Sequence, residues 1–369
     1  MSFTDVFSAI SQDDLLLQLY SKNTADVERA LIAPQGKLES LMTLLSPAAE
    51  PFIETMATES VRLTRQRFGN NLGLYLPLYL SNLCANECDY CGFTMSNKIK
   101  RKTLNESELL AEISIIKARG FDSILLVSGE HESKVGMGYF SWAIPIVKAH
   151  FSYVAIEVQP LSEADYSHLK ELGVDAVMVY QETYRPVTYA KHHTRGQKKD
   201  FHHRLTTPDR AAKAGIDKVG LGVLLGLDDW RLDALLMGHH IDYLEKNYWR
   251  SRYSISLPRL RPCTGGVNPK VPLTDLGLVQ LICAFRLFNP QLEISLSTRE
   301  TPSLRDSLLP LGVTHLSAGS STQPGGYQAP QTQLDQFEIS DGRPVDAVVA
   351  QIQQQGLNPV WKDWEAGWH

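Results

Sequence analysis

The stretch LYLPLYLSNLCANECDYCGF, residues 74–93, carries two signals in succession. Its first seven residues are apolar and β-prone, as in a strand buried on both faces. A polar loop follows at once, with Cys84, Cys88 and Cys91 in a C-x3-C-x2-C spacing. A strand that runs directly into a loop of ligand-type side chains suits a parallel sheet, where chemistry collects at the strand C-termini.

Seven further short apolar runs follow: DSILLVS (122–128), YVAIEV (153–158), DAVMVY (175–180), KVGLGVLL (218–225), RYSISL (252–257), LEISLS (292–297) and VTHLSA (313–318). Helix patterns lie between them. Asn105 precedes ESELLAEISIIKARG with Glu108 in capping-box position, and Ser162 opens SEADYSHLKELG with Asp165 at the same offset. Thr301-Pro302 opens another helix, and Gly120, Gly173 and Gly312 are stop signals. Eight strand-plus-helix units predict an α/β fold, a (β/α)8 TIM-type barrel over residues 71–320. Helical spacing in LLLQLY and LESLMTLL predicts a helical extension over 1–70. The tail, 321–369, starts rich in Gly, Pro and Gln, ends in the amphipathic WKDWEAGWH and is expected to pack on the barrel.

The net charge is −5 and the pI about 6.1, which argues against a nucleic-acid or membrane-surface protein. No apolar run reaches the roughly 18 residues of a membrane-spanning helix. The opening MSFTDVFSAISQDDLLLQLY has no basic n-region and reads as an amphipathic helix rather than a signal peptide. Three of the five cysteines are clustered, and Cys263 and Cys283 stand alone. That is a poor disulfide framework, so a reducing cytoplasm is expected.

Thiolates are soft ligands that suit zinc or iron–sulfur clusters. Zinc would want a fourth Cys or His to close its tetrahedron. Three cysteines on one loop can instead hold three corners of a cubane, leaving the fourth iron open to chelate an amine and a carboxylate. The paired histidines 192–193, 202–203 and 239–240 show no ligand pattern with the cysteines, and GLGVLLG (220–226) has the wrong spacing for a dinucleotide fingerprint.

The cysteine spacing, with Tyr90 just before the last Cys, resembles the signature of the radical S-adenosylmethionine (SAM) superfamily. The resemblance implies a [4Fe–4S] cluster on Cys84, Cys88 and Cys91 and SAM on the open iron, with Tyr90 beside the cofactor. Ser128-Gly129-Glu130 resembles the family's Gly-Gly-Glu motif, Gly129 allowing close backbone approach and Glu130 accepting from the SAM ammonium; a plain strand-end turn is the alternative. Glu157, at the end of an apolar run, needs a partner if buried. A ribose hydroxyl, the SAM ammonium or a nearby lysine would serve. Arg204 opens RLTTPDRAAKAG and resembles a SAM-carboxylate arginine, the alternative being a solvent-facing helix residue.

The segments from Gln181 to Leu227, LPRLRP (257–262), STRE (297–300) and SAGSSTQPGGY (317–327) resemble the aromatic-amino-acid lyase branch of that superfamily. Within it, the lack of cysteines after Cys283 and the ending NPVWKDWE point to the tyrosine lyases of thiamine biosynthesis, the 2-iminoacetate synthases, rather than the hydrogenase maturases or tryptophan lyases. The resemblance implies cleavage of the Cα–Cβ bond of L-tyrosine to 2-iminoacetate and 4-cresol. It implies Arg299 on the substrate carboxylate, assisted by Ser317 and Ser320, while the base for the amine stays unassigned. Expected partners are a thiazole synthase and a flavodoxin-like electron donor. A non-catalytic cluster scaffold is the different-class alternative, and Glu130, Arg204 and Arg299 together argue against it.

Overall fold

The computed structural model describes residues 2–33, 35–331 and 334–362. The eight apolar runs form strands β1 (Asn71–Ser81), β2 (Ser123–Ser128), β3 (Tyr153–Glu157), β4 (Ala176–Met178), β5 (Lys218–Gly222), β6 (Arg252–Ser256), β7 (Glu293–Leu296) and β8 (His315–Ser317). Each pairs in parallel with its sequence neighbour, and β8 closes on β1 through Gly73–His315 and Tyr75–Ser317. The expected (β/α)8 barrel is therefore the observed fold. Pairing of β1 with β2 slips between Tyr79 and Ser81. Irregularities of this kind bend a strand at a barrel rim, and here the bend leads into the cysteine loop.

The helices start where the capping residues place them. Asn105 Oδ1 accepts from the Glu108 amide at 3.1 Å, and the Glu108 carboxylate accepts from the Asn105 amide at 3.1 Å. Ser162 and Asp165 form the same reciprocal box, and Pro302 sits in the first turn of its helix. One expectation fails. RLTTPDRAAKAG is not a single helix opened by Arg204. It divides into Phe201–Leu205 and Thr207–Lys213 around Thr206. Pro208 has no amide hydrogen to continue the first ladder but suits the first turn of the second. Arg204 thus lies in the last turn of the first helix, and its side chain is buried, which also disposes of a solvent-facing role.

The described residues among the first 70 form five α-helices and one 3-10 helix. Leu38–Leu45 and Ile53–Phe68 pack on the barrel helices Trp230–Asn247 and Asp275–Phe288. Buried polar bonds fix the docking: Gln280 Nε2 donates to the carbonyls of Leu44 (2.8 Å) and Ser46 (2.9 Å), and Arg231 pairs with Glu50 at 2.6 Å. In the tail, a helix (Val345–Gln354) leads to β9 (Asn358–Val360), which pairs in parallel with Asn71–Gly73 at the start of β1. The end of WKDWEAGWH, residues 363–369, lies outside the described residues. Among the described residues no helix is long and apolar enough to cross a membrane.

A cavity of about 340 Å³ occupies the N-terminal half of the barrel. At its wall the Glu293 carboxylate accepts from Lys218 Nζ at 2.6 Å and faces Arg252 at 3.3 Å and His315 at 3.5 Å. Burial opposes ionisation of Glu293, but Lys218, His315 and Arg252 outweigh it and hold the carboxyl at about 2. A depressed carboxyl stabilises the fold above its unfolded value near 4.5, and that contribution is lost as the pH falls towards 2. Glu293→Gln leaves the Lys218 ammonium buried without a counter-charge and should cost about 3–5 kcal/mol in denaturant titration at pH 7. The gap between variant and wild type should narrow as the pH is lowered through 4.5 towards 2. A gap that does not change with pH refutes the assignment.

Candidate active site

At the C-terminal end of β1 the chain turns out into the cysteine loop, and Arg101 holds that loop in shape. Its guanidinium donates to the carbonyls of Asn82 (2.7 Å), Phe93 (2.8 Å) and Thr94 (2.7 Å). The loop is pinned on two further sides. The Ala85 amide donates to the Glu130 carbonyl at 2.8 Å, and Glu87–Cys88 pairs antiparallel with His193–Arg195. Gly129 belongs to the first contact. A Cβ there would lie 2.4 Å from the Leu83 carbonyl oxygen and 3.2 Å from Cys84 Cβ. The close approach expected of this glycine is therefore to the cysteine loop.

Cys84, Cys88 and Cys91 line one cavity of about 160 Å³ at this mouth, and Tyr90, Gly129, Glu130, Glu157, Arg204, Arg299, Ser317 and Ser320 line it too. The cavity at the other end of the barrel is larger but has no cysteine in its lining. Burial pushes the Cys84 thiol up to about 11 and raises Cys88 and Cys91 as well. Backbone groups of Asn86 and Glu130 at Cys84, and of Phe93 at Cys91, favour the thiolate against that burial. Three such thiols would become stable thiolates beside strongly positive irons. Among the described residues no three His, Cys, Asp or Glu side chains converge as ligands of a single ion would. This donor set on one wall fits a cluster with irons at separate corners.

Beside the cysteines lies a chain of ion pairs. Glu130 accepts from Arg204 Nη1 at 2.9 Å and from Asn86 Nδ2 at 2.7 Å. Arg204 Nε donates to the Tyr180 carbonyl at 2.6 Å. Lys198 pairs with Glu182 at 2.7 Å, and its amide donates to Asn86 Oδ1 at 3.0 Å. Burial opposes ionisation of Glu130, yet Arg204 and Lys198 outweigh it and hold its carboxyl below the usual range. Glu182 has φ +69°, the left-handed region a glutamate rarely adopts. Tyr90 spends its hydroxyl on His193 Nε2 at 2.5 Å, and its ring lies 5.6 Å from the Lys198 ammonium. His193 and His192, the latter 2.8 Å from Asp89, fasten the cysteine loop.

Across the cavity, Arg299 stacks its guanidinium 3.5 Å over the Phe337 ring. Among the described residues no carboxylate lies within ion-pair distance of Arg299. Among the described residues the buried hydroxyls of Ser128 and Ser320 have no hydrogen-bond partner, as donors meant for a bound molecule would. Reading the sequence missed Asn86, Glu182, Lys198, Gln336 and Phe337, which line the same cavity.

Glu157 stands in the cavity wall, and Lys198, the cavity's lysine, is paired with Glu182 instead. Burial and the Glu182 carboxylate push the Glu157 carboxyl up to about 7, against the pull of Arg299, Lys198 and Arg204. An acid raised in the fold opposes stability once ionised. Its cost is absent below about 4.5, grows as the pH rises to about 7, and is constant above. Glu157→Gln removes that cost. The thermal midpoint of the variant, relative to wild-type apoprotein, should therefore rise between pH 5 and pH 8. A flat difference over that range refutes the assignment.

The Radical SAM superfamily model matches residues 78–237, and the Biotin and Thiamin Synthesis associated domain matches residues 256–358. The chain is 53% identical over 366 residues to the 2-iminoacetate synthase of Escherichia coli (strain K12), covering 99% of this chain and 97% of that protein. The 2-iminoacetate synthase of Salmonella typhimurium (strain LT2) gives the same identity and coverage. Among solved structures, the [FeFe]-hydrogenase maturase HydG of Carboxydothermus hydrogenoformans superposes with a TM-score of 0.87 at 28% identity, over 98% of this chain and 83% of that one. A strand-end cysteine loop facing a cavity of paired charges, in a chain this similar to those enzymes along nearly its whole length, belongs to the radical SAM superfamily and, within it, to the 2-iminoacetate synthase family.

Proposed function

We propose that this protein is a tyrosine lyase that cleaves the Cα–Cβ bond of L-tyrosine to 2-iminoacetate and 4-cresol, with SAM consumed to methionine and 5′-deoxyadenosine. The observation that carries the reading is the shared cavity: it brings together three cysteines, the Glu130–Arg204 pair and Arg299, which among the described residues has no carboxylate within ion-pair distance. When bound, a [4Fe–4S] cluster on Cys84, Cys88 and Cys91 supplies the electron that cleaves SAM and so provides the 5′-deoxyadenosyl radical.

The chain's own residues bind and orient. The amino-acid end of SAM is a zwitterion, with an ammonium for Glu130 and a carboxylate for Arg204. Its binding replaces one buried ion pair with two and leaves no bare charge behind. Glu157 serves the ribose or the ammonium, and Tyr90 and Gly129 hold the cysteine loop against the cofactor's place. Arg299 takes the tyrosine carboxylate, with the Ser317 and Ser320 hydroxyls beside it. The Phe337 ring keeps the guanidinium flat and limits its rotation. An imine of this kind hydrolyses in water, so the product passes to a thiazole synthase. Two reducing electrons, one to cleave SAM and one that with a proton turns the 4-hydroxybenzyl fragment into 4-cresol, come from a flavodoxin-like donor in the cytoplasm.

Anaerobically reconstituted protein should hold about four irons per chain. Replacing Cys84, Cys88 or Cys91 with Ala should abolish SAM cleavage, while replacing Cys263 or Cys283 should leave the iron content unchanged. Zinc without an iron–sulfur spectrum would sink the cluster. Incubated with SAM, reductant and each aromatic amino acid in turn, the wild type should give 4-cresol from tyrosine. Products from tryptophan alone would move it to the tryptophan lyases, and SAM that is never cleaved would leave a scaffold.

Arg299→Ala should weaken tyrosine binding about tenfold to a few hundredfold, the range for one lost charged hydrogen bond. Uncoupled 5′-deoxyadenosine with little 4-cresol should accompany the loss, because a misplaced amine also slows the chemical step. Wild-type 4-cresol formation and tyrosine affinity in this variant would place the carboxylate elsewhere.

A further inference from the structure

The C-terminal segment after β8 returns across the mouth of the barrel and rests on the cysteine loop. The Gly92 amide donates to the Gln336 carbonyl at 2.9 Å, and a Cβ on Gly92 would come within 2.6 Å of that oxygen. The segment is also tied to the barrel rim: Glu338 donates to the Pro262 carbonyl at 3.0 Å, and Ser340 to that of Thr298 at 2.9 Å. Residue 336 is therefore held in place by backbone contacts on both sides of the mouth.

Its side chain is held as well. Gln336 Oε1 accepts from the Tyr79 hydroxyl at 2.7 Å, and Nε2 then faces Cys91 Sγ at 3.6 Å. The reverse orientation would set a carbonyl lone pair against a thiolate. Tyr79 is itself buried, packed edge-on against Phe93 with ring centroids 5.9 Å apart. The result is a relay in which a fixed phenol orients an amide, and the amide presents a donor to the sulfur of one cysteine.

We infer that Gln336, oriented by Tyr79, donates a hydrogen bond to the Cys91 thiolate of the cluster and raises its reduction potential. The inference rests on the reading of Cys91 as a cluster ligand. An N–H aimed at a ligating sulfur draws off negative charge and favours the more negative, reduced cluster. The reaction begins by reducing that cluster, so this donor eases the step on which SAM cleavage depends. Gln336 is on this view a positioning residue. It touches a ligand and not the reacting carbon.

The test is an anaerobic redox titration of full-length, reconstituted protein, followed by electron paramagnetic resonance, with iron content measured in parallel. Gln336→Leu should keep its iron, but its ratio of reduced to oxidised cluster at a fixed applied potential should fall about two- to tenfold, the equilibrium worth of one net hydrogen bond. Gln336→Glu should fall at least as far, since a carboxylate replaces the donor. Tyr79→Phe should fall less, because the amide is kept but no longer fixed. A Gln336→Leu protein that keeps its iron and titrates like the wild type overturns the inference. If Gln336→Leu loses iron, unchanged titrations of both other variants overturn it. A wild type that assembles no cluster removes the cysteine reading as well.

Discussion

A carboxylate and a guanidinium, Glu130 and Arg204, meet 2.9 Å apart under the mouth of the barrel, and the arrangement around them follows from that contact. Glu130 sits just past β2, Arg204 on the short helix after the fourth unit, and Asn86, which also donates to Glu130, on the cysteine loop. Three stretches of chain that are remote in sequence are thereby set at one distance from one another. A pair this deep gains little net stability over an apolar contact of the same volume, because desolvation consumes most of the attraction. What it does fix is geometry. Neither partner can move away without leaving a buried charge alone. The pair also keeps both groups ionised before any ligand arrives, as recognition of a zwitterion requires.

The cavity is polarised from one side to the other. Near the cysteines, Glu130, Arg204, Glu182 and Lys198 alternate in sign and nearly cancel. Around Phe337, Arg299 is balanced at longer range by Glu157 and Glu182. A neutral zone beside a positive one sorts two amino-acid ends by charge. On the proposed reading, a zwitterion sits where the charges alternate, and a carboxylate whose amine must be neutral to react sits beside Arg299. Phe337 takes part by stacking on that cation; Nη1 donates to the Arg259 carbonyl at 3.4 Å, and the rest of the guanidinium edge is left for a planar contact.

How much of this was legible in the sequence depends on the range of each signal. The eight strands and the capped helices are written in neighbouring residues, and so is the cysteine spacing, so they could be read directly. Arg204 could be picked out by resemblance, but the break at Pro208 that places it in a last helical turn was a local sign passed over in favour of a longer periodic pattern. Glu182 and Lys198 gave no signal because their meaning comes from tertiary pairing, and a glutamate in the left-handed region has no sequence mark at all. Gln336 and Phe337 lie in a Gln-rich tail that shows no periodicity. They join the site only because the chain returns over the barrel rim.

The closure of β1 sets an order of events in the making of the protein. β1 takes β8 as one neighbour and β9 as its outer flank, and both are synthesised long after it. At ordinary synthesis speeds the strand that leads to the cysteines waits on the order of a quarter of a minute to a minute for them. During that interval the three thiols are carried by an open half-barrel, without the C-terminal segment that later covers Cys91. Iron delivered to a nascent chain would meet a site with one wall missing. The chamber is therefore complete only once β8 and the segment over Cys91 are in place, and a chain cut short before them, however well its first seven strands pair, would present cysteines with no finished chamber behind them.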